Sequence, residues 1–411
     1  MLKVGAVPGL TRRDFLACGA VSIAELGLAP LVRAALPDAG PPRVRDFREL
    51  GKTGMKISDV SFGASRLRGD EDLVRHAFDR GINYFDTAAG YTGGNSETTI
   101  GNALKGKRDR VYLTSKTETT GTTSRAEMMR ALEGSLGRLQ TDHVDVYFNH
   151  AVNDVARLSN PEWPEFVAEA KRQGKIRFAG MSGHAGKLIQ CLDYAIDHKL
   201  VDVVLVAYNF GQDPAFYQKF LGSFDMIAIQ PDLPRVLGKA KAAGTGVVAM
   251  KTLMGARLND MRRFEKPGGT FAQSAFRWVL SSSDVDALIV SMTSQGQVDE
   301  YLVASGARIV ASADLALLGA YVAMNSSTTC RFGCDACESS CPAGVSIADV
   351  LRVRMYAEDY GDARMARDEY SGIGEPATAC LSCATQACAA ACPYGLSIPK
   401  LTRSVARRFA T

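Results

Sequence analysis

Eight short β-type runs alternate with longer amphipathic segments between Phe47 and about Ile309. Each run is rich in Val, Ile or aromatic residues, as buried parallel strands are. The predicted strands are Val60–Gly63, Ile82–Asp86, Val111–Lys116, Val144–His150, Ile176–Ser182, Val203–Asn209, Val247–Lys251 and Ala287–Ser291. Between them lie helical patterns such as Ser124–Leu139 and Gln273–Leu280. Eight βα units in one domain predict a closed (β/α)8 TIM barrel. An open doubly wound sheet is the alternative, but no G-x-G-x-x-G motif follows the first strand.

Polar residues stand at the C-terminal ends of these predicted strands. They are Asp86, Lys116, His150, Ser182, Tyr208, Asn209, Lys251 and Ser291. Active sites of α/β barrels lie at that end of the strands. Any one of these residues can be a solubilising strand end, but the complete ring predicts an active site.

Four residues near this rim form a candidate acid–base set. Tyrosine has an ordinary pKa of about 10, which a nearby ammonium lowers by favouring the phenolate. Asp86 and Lys116 end adjacent predicted strands, and Tyr91 follows Asp86 by a short loop. His150 ends the next strand, where it is placed to orient a carbonyl oxygen. The set fits protonation of an alkoxide as hydride reaches a carbonyl carbon, or the reverse oxidation.

From Arg48 to about Tyr301 the chain resembles the aldo-keto reductases. The most specific similarity is GINYFDTA at positions 81–88, followed by Tyr91. Further similarities are YLTSK at 112–116 and DVYFNH at 145–150. The resemblance implies that Tyr91 is the acid–base residue, Lys116 and Asp86 tune its pKa, and His150 orients a small carbonyl or alcohol substrate. It also implies NAD(P)H binding across the rim, at Ser182, Tyr208, Lys251, Ser291, Thr293, Gln297 and Glu300.

The chain departs from this family at the cofactor side of the rim. Gly183 replaces the asparagine that often follows the serine, and Leu205 replaces a common glutamine. Met250 stands near the position of an aromatic that often stacks on the nicotinamide. No Lys or Arg occurs from Asp286 to Ala307, where many members bind the 2′-phosphate of NADPH. The sequence therefore does not predict a preference for NADP.

Eight of the ten cysteines fall into two runs near the C-terminus. Each run ends in C-x3-C-P, and the cysteines are Cys330, Cys334, Cys337, Cys341, Cys380, Cys383, Cys388 and Cys392. Zinc sites usually pair two C-x2–4-C knuckles and need no trailing proline. Disulfides are possible in an exported protein, but thiols three or four residues apart bridge poorly. The pattern therefore predicts two [4Fe–4S] clusters.

The closing C-x3-C-P of each run resembles the two-cluster ferredoxins, in which the fourth cysteine ligates the other cluster. This resemblance implies one cluster on Cys330, Cys334, Cys337 and Cys392, and another on Cys380, Cys383, Cys388 and Cys341. Helical patterns at Ser346–Tyr356 and Ala363–Tyr370 favour an α-helical ferredoxin-like domain. Outside the runs, Cys191 is interpreted as a buried structural thiol.

The N-terminus resembles a twin-arginine export signal. Arg12 and Arg13 precede an apolar run from Ala17 to Leu31, and Val32-Arg33-Ala34 follows as a cleavage site. The predicted organisation is a signal peptide at 1–36, a linker at 37–46, a barrel at 47–312 and an iron–sulfur domain at 313–411. Such a protein would be periplasmic or otherwise exported by the twin-arginine route. The net charge of +4 implies no nucleic-acid partner, and no apolar run reaches the length of a membrane span.

Two functions remain open from the sequence, together with a third possibility in which the clusters are structural and only the barrel is active. The first is a carbonyl/alcohol oxidoreductase of aldo-keto reductase type, whose two clusters exchange electrons with a partner protein. The second is an iron–sulfur electron-transfer protein whose barrel is a docking scaffold without nicotinamide chemistry. The departures at Gly183, Leu205 and Met250 favour the second, whereas the set of Asp86, Tyr91, Lys116 and His150 favours the first.

Overall fold

The computed structural model describes residues 40–184, 187–212, 232–253, 261–325, 330, 334–359, 362–373 and 377–409. The described residues from Pro41 onward belong to one compact unit. The predicted export signal at 1–36 lies outside the described residues. None of the helices in the described ranges is long and apolar enough to cross a membrane.

Eight parallel strands form a closed barrel in which each strand pairs with the next along the chain and the last pairs with the first. They are β3 (Val60–Gly63), β4 (Tyr84–Asp86), β5 (Tyr112–Thr117), β6 (Val144–Asn149), β7 (Ile176–Gly183), β8 (Val203–Ala207), β9 (Gly246–Met250) and β10 (Ala287–Ser291). The closed barrel is thus confirmed, and every predicted strand is present within two residues of its predicted bounds. An antiparallel pair of short strands, β1 (Phe47–Glu49) and β2 (Lys56–Ser58), precedes it.

Helices cover the outside of the barrel. Those of the described residues are α1 (Glu71–Asp79), α2 (Asn95–Ala103), α3 (Arg125–Leu139), α4 (Val155–Leu158), α5 (Glu162–Arg172), α6 (Leu188–Asp197), α7 (Leu233–Ala243), α8 (Phe271–Leu280), α9 (Gln295–Leu302) and α10 (Ser312–Asn325). Helices α3 and α8 begin with capping boxes, Ser124 with Glu127 and Thr270 with Gln273. These reciprocal hydrogen bonds satisfy backbone N–H groups that have no partner within the helix.

Two apolar layers hold the barrel together. Its interior is filled by side chains that include Tyr84, Phe148, Leu205 and Val248. A larger layer lies between strands and helices, and there Cys191 is fully buried, as predicted. The interior is therefore a packed core, and the open space for chemistry lies at its rim.

A small helical tail follows the barrel. It contains α11 (Ile347–Arg354), a π-helical turn (Met355–Asp359), α12 (Ala363–Ser371), α13 (Ala379–Ser382), α14 (Ala387–Ala391) and α15 (Ile398–Phe409). Both helices that the sequence predicted here are present, and the tail has its own apolar core. Asp362, which caps the start of α12, pairs with Arg66 at 3.4 Å and with Arg68 at 3.2 Å, and both arginines belong to the loop after β3. These ion pairs fix the tail against the barrel rim.

Candidate active site

Asp86 and Lys116 form a buried ion pair at the rim. Strands β4 and β5 are adjacent and parallel, so their C-terminal ends meet. Lys116 Nζ donates to Asp86 Oδ1 at 2.6 Å and to the carbonyl oxygen of Thr87 at 2.7 Å. Thr114 Oγ1 donates to the other carboxylate oxygen at 2.9 Å. Burial lowers the pKa of Lys116, whereas the Asp86 carboxylate acts in the opposite direction.

Tyr91 lies over this pair. It begins a short 3-10 turn after β4, and its ring centroid is 5.0 Å from Lys116 Nζ. Burial raises the pKa of Tyr91 well above its usual value, and the Asp86 carboxylate adds to the increase. This direction is opposite to the lowering that the sequence predicted. The reason is that burial destabilises the phenolate by more than the Lys116 ammonium stabilises it, because the Asp86 carboxylate already offsets the charge of that ammonium. Tyr91 is therefore a neutral phenol at ordinary pH.

His150 completes the group. Its ring meets the Tyr91 ring edge to face, with centroids 5.6 Å apart. Burial lowers the pKa of His150 to about 3, and the positive charges of Lys116, Arg157 and Lys251 act in the same direction. The imidazole is therefore neutral at ordinary pH, and one ring nitrogen carries a proton to donate to a substrate oxygen.

A cavity of about 340 Å³ brings these groups together with several predicted cofactor residues. Its lining includes Asp86, Tyr91, Lys116 and His150, and also Ser182, Lys251, Ser291 and Gln297. Ser182 Oγ accepts from the Ala151 amide at 2.9 Å, and Ser291 Oγ bonds Ser65 Oγ at 2.7 Å. Lys251 has a positive φ of 56°, and burial lowers the pKa of its ammonium to about 7.

Three predicted cofactor residues lie outside the lining of this cavity. Tyr208 packs against Trp278 with ring centroids 5.2 Å apart and is 7% exposed. Thr293 is exposed and donates through its amide and Oγ1 to Gln297 Oε1. Glu300 accepts from Thr270 Oγ1 at 2.8 Å. In the structure these side chains pack the core or hold helix ends.

The structure shows where the three departures from the family lie. A Cβ on Gly183 would lie 2.7 Å from Leu188 Cδ1 and 3.0 Å from the Val152 carbonyl oxygen, so a larger side chain does not fit without movement. Leu205 is buried in the barrel interior with other apolar side chains. Met250 lines the cavity. This side of the rim thus offers few groups for a carboxamide.

The tail supplies part of the cavity wall, which the sequence analysis missed. Four residues of the tail line the cavity: Arg352, Tyr356, Met365 and Glu369. Nothing in the barrel sequence indicates that the tail contributes to this wall. The cysteine runs of the tail indicate metal binding, and no sequence motif includes these four residues. His184, which follows Gly183, lines the same cavity. Burial lowers its pKa well below the usual value, and Arg352 and Lys251 add to that effect.

The tail cysteines lie in two neighbourhoods. Burial raises the pKa of Cys337 to about 12, and Cys330, Cys392 and Cys334 act in the same direction. Burial likewise raises the pKa of Cys388, with added effects of Cys380, Cys341 and Cys383. Each neighbourhood thus combines three cysteines of one run with the last cysteine of the other.

A second, smaller cavity is lined by four of these cysteines, Cys341, Cys380, Cys383 and Cys388. Cys341, Cys380, Cys383 and Cys388 form no disulfide with one another in the structure. Across those same ranges no group of three or more His, Cys, Asp or Glu side chains is arranged to hold a single metal ion. The four thiols around this cavity nevertheless match in number and type the ligands of a four-iron cluster.

Comparison with known proteins adds to this geometry. The Aldo/keto reductase family model matches residues 55–219. L-galactose dehydrogenase of Arabidopsis thaliana is 28% identical over 283 residues, which cover 63% of this chain and 88% of that protein. Aldo-keto reductase YhdN of Bacillus subtilis (strain 168) is 33% identical over 156 residues, 33% of this chain and 46% of that protein.

Solved structures have the same barrel. The aldo-keto reductase from Klebsiella pneumoniae in complex with NADPH gives a TM-score of 0.53 at 26% identity, covering 68% of this chain and 96% of that one. The holo form of an aldo-keto reductase from Bacillus halodurans gives 0.52 at 22% identity, covering 67% of this chain and 96% of that one. The second comparison supports the fold alone.

Proposed function

We propose that this chain, an oxidoreductase whose residues 55–219 match the Aldo/keto reductase family model, interconverts a carbonyl and an alcohol with a nicotinamide cofactor. One observation carries the proposal: Tyr91, His150 and the Asp86–Lys116 ion pair line one cavity. A packing role does not require an acid, a neutral imidazole and a buried ammonium around one space.

The proposed chemistry follows from the protonation states. When bound, the nicotinamide supplies or accepts a hydride at the substrate carbon. Neutral His150 donates a hydrogen bond to the carbonyl oxygen and orients it. Tyr91 gives its proton to that oxygen in the reducing direction, and the Lys116 ammonium stabilises the phenolate that remains. Asp86 holds Lys116 in position.

Ser182, Lys251, Ser291 and Gln297 are the residues proposed to hold the cofactor, since all four line the cavity. The relative from Klebsiella pneumoniae binds NADPH. This chain has no Lys or Arg from Asp286 to Ala307 to match a 2′-phosphate, so we do not propose a preference for NADP.

For the tail we propose two [4Fe–4S] clusters, which supply one-electron transfer to or from a partner protein. Cys330, Cys334, Cys337 and Cys392 would hold one, and Cys380, Cys383, Cys388 and Cys341 the other. Support comes from the two cysteine neighbourhoods and from the cavity beside Cys388. Arg403 donates to the carbonyl oxygens of Cys380 and Cys383 at 2.9 and 3.1 Å, which fixes the loop that carries these two ligands.

Export by the twin-arginine route is also proposed, from the residues at 12–16 and the apolar run after them. This route carries folded proteins and so suits a chain that receives its cofactors first. Replacing Arg12 and Arg13 by lysine should retain the protein in the cytoplasm. Cell fractionation with an antibody measures this, and unchanged export of the variant would refute it.

The decisive test is a fluorescence titration of the anaerobically purified protein with NADH and NADPH. Saturable binding is expected. Gln297→Ala should weaken it, because Gln297 lines the cavity, whereas Gln295→Ala in the same helical turn should not. Absence of binding by either nucleotide would refute the proposal.

That negative result would favour a second function, an electron-transfer protein whose barrel is a scaffold. The observation in its favour is the cofactor side of the rim: Tyr208 packs on Trp278, and Gly183 and Leu205 offer no polar group. Its signature is a protein with both clusters and no nucleotide affinity.

A further inference from the structure

The part of the cavity wall that comes from the tail is held firmly. Arg352 extends from α11, Tyr356 from the π-helical turn, and Glu369 from α12. The pairing of Asp362 with Arg66 and Arg68 joins the start of α12 to the barrel loop beneath it. Side chains from the tail therefore have fixed positions relative to the rim.

Arg352 presents an unsatisfied hydrogen-bond donor in this wall. Its side chain is 14% exposed, and Nη1 donates to Asp349 Oδ1 at 2.5 Å. The Nε atom is buried and has no hydrogen-bond partner among the described residues. Nδ1 of His184 is in the same situation. Buried polar groups in native proteins are nearly always paired, so each such atom calls for an explanation.

These two side chains and Lys251 all line the same cavity, which His150 also lines. The positive charge of Arg352 contributes to the lowered pKa of both His184 and Lys251, and His150 contributes to that of His184. The two nitrogen atoms without partners thus belong to residues that share a cavity with the imidazole that is proposed to orient the reacting carbonyl.

The acidic groups nearby do not occupy these donors. Glu369 lines the same wall, and burial raises the pKa of its carboxyl group. Asp349 bonds Arg352 through Nη1 and leaves Nε without an acceptor. Glu118 lies near the other side of the imidazole, with its Oε1 3.8 Å from His150 Nδ1. An incoming oxygen with negative charge is the acceptor that suits a guanidinium N–H.

We propose that Arg352 and His184 form a subsite for an anionic group of the substrate, next to the residues proposed to hold the cofactor. The substrate is then a small carbonyl compound or alcohol that carries a carboxylate or a phosphate. The tail thereby determines specificity in addition to any cluster it holds. The assignment of this anionic group to the substrate rests on the proposed function, whereas the anion site itself does not.

The subsite can be tested without turnover by calorimetric titration. The protein used carries both of the proposed iron–sulfur clusters. The probes are malonate, inorganic phosphate and uncharged malonamide, each with and without saturating NADH. Malonate or phosphate should bind saturably and malonamide at least tenfold more weakly, and the tighter of the two anions identifies the group. Arg352→Gln should weaken anion binding at least tenfold. The matched control is Arg354→Gln, on the same helix and equally buried but absent from the cavity lining.

Three results would overturn the subsite: no saturable anion binding, equal losses in Arg352→Gln and Arg354→Gln, or competition between the anion and NADH. The last would assign the donors to the cofactor's phosphates. Iron content and the circular dichroism spectrum verify that each variant is folded, and His184→Ala with the same readout replaces Arg352→Gln if the latter does not fold. Failure of the nicotinamide titration with malonate binding intact would refute the proposed function alone.

Discussion

The ring centroid of Tyr91 is 5.0 Å from the ammonium nitrogen of Lys116, yet burial raises the pKa of the Tyr91 hydroxyl. Burial is the larger cause, and the carboxylate of Asp86 adds to it, since it compensates the charge of Lys116 and disfavours a second negative charge nearby. A tyrosine in this state donates a proton readily only when negative charge develops on the acceptor. The arrangement suits an acid for an incoming alkoxide.

Tyr91→Phe removes the proposed acid and keeps the ring packed against His150. We expect kcat to fall by about 10²- to 10⁴-fold. The affinity for NADH should stay unchanged, because the ring remains. Steady-state kinetics with a carbonyl substrate measures the first quantity and fluorescence titration the second. Tyr194→Phe, outside the cavity, is the control; an equal loss of kcat in that variant would contradict the assignment.

His150 should make the protein sensitive to mild acid. Its pKa is about 3 in the folded protein and about 6.5 when unfolded. Between these values the unfolded chain binds a proton that the folded one does not, so stability is lost as pH falls below about 6.5. The contribution of this one group reaches about 1.4 kcal/mol per pH unit.

His150→Asn should therefore flatten the fall in melting temperature between pH 7.5 and pH 5. Thermal unfolding of variant and wild type in parallel measures it, and any pH effect on the cysteine runs cancels in the comparison. His198→Asn, at an exposed position, should retain the wild-type slope. A wild-type slope in His150→Asn would show that the imidazole is not buried in neutral form.

The ion pair of Asp86 and Lys116 was predictable because parallel strands of a barrel place their C-terminal ends side by side. The pKa direction of Tyr91 was not, because it depends on how much water reaches the phenol. The position of Arg352 in the cavity wall could not be predicted from the sequence either, since a contact between residues far apart in the chain leaves no local pattern. Tyr208 shows the same limit: the strand end was located correctly, but packing against Trp278 decides where the ring lies.

At the scale of elements, helices α2 and α3 are in contact at one glycine. A Cβ on Gly101 would lie 2.6 Å from the carbonyl oxygen of Leu139. Gly101→Ala should therefore destabilise the protein by about 1–3 kcal/mol through overpacking. Gly137→Ala, in α3 with nothing within 4 Å of the added carbon, is the matched control and should stabilise by about 0.5–1 kcal/mol.

The thermal midpoints of both glycine variants check this expectation. A lower midpoint for Gly101→Ala and a higher one for Gly137→Ala are expected. If both alanines raise the midpoint, the helices are not in backbone contact at Gly101.

The barrel strands were predictable because their residues are buried on both faces, which gives continuous Val- and Ile-rich runs. The β1–β2 pair was not predicted. Each of its strands has only three residues, with exposed and buried positions mixed, so no periodicity identifies them. The π-helical turn after α11 also escaped prediction, since its sequence continues the helical pattern.

For the whole molecule, the crossed cysteine sets make a quantitative prediction. The wild type should contain about eight iron atoms per chain. Cys341→Ala combined with Cys388→Ala should retain about four, because both residues belong to one set. Cys337→Ala combined with Cys341→Ala should retain almost none, although both residues lie in one run.

Iron analysis and electron paramagnetic resonance of the reduced proteins measure these values. Cys191→Ala, in the barrel, should keep the wild-type iron content. Four iron atoms retained by the Cys337/Cys341 variant would mean that each run holds its own cluster.

The contact between tail and barrel has a further consequence. The tail residues that line the cavity keep their positions through the ion pairs of Asp362 with Arg66 and Arg68. A proteolytic cut between the barrel and the tail is therefore expected to open this cavity to water, although all eight strands of the barrel would remain.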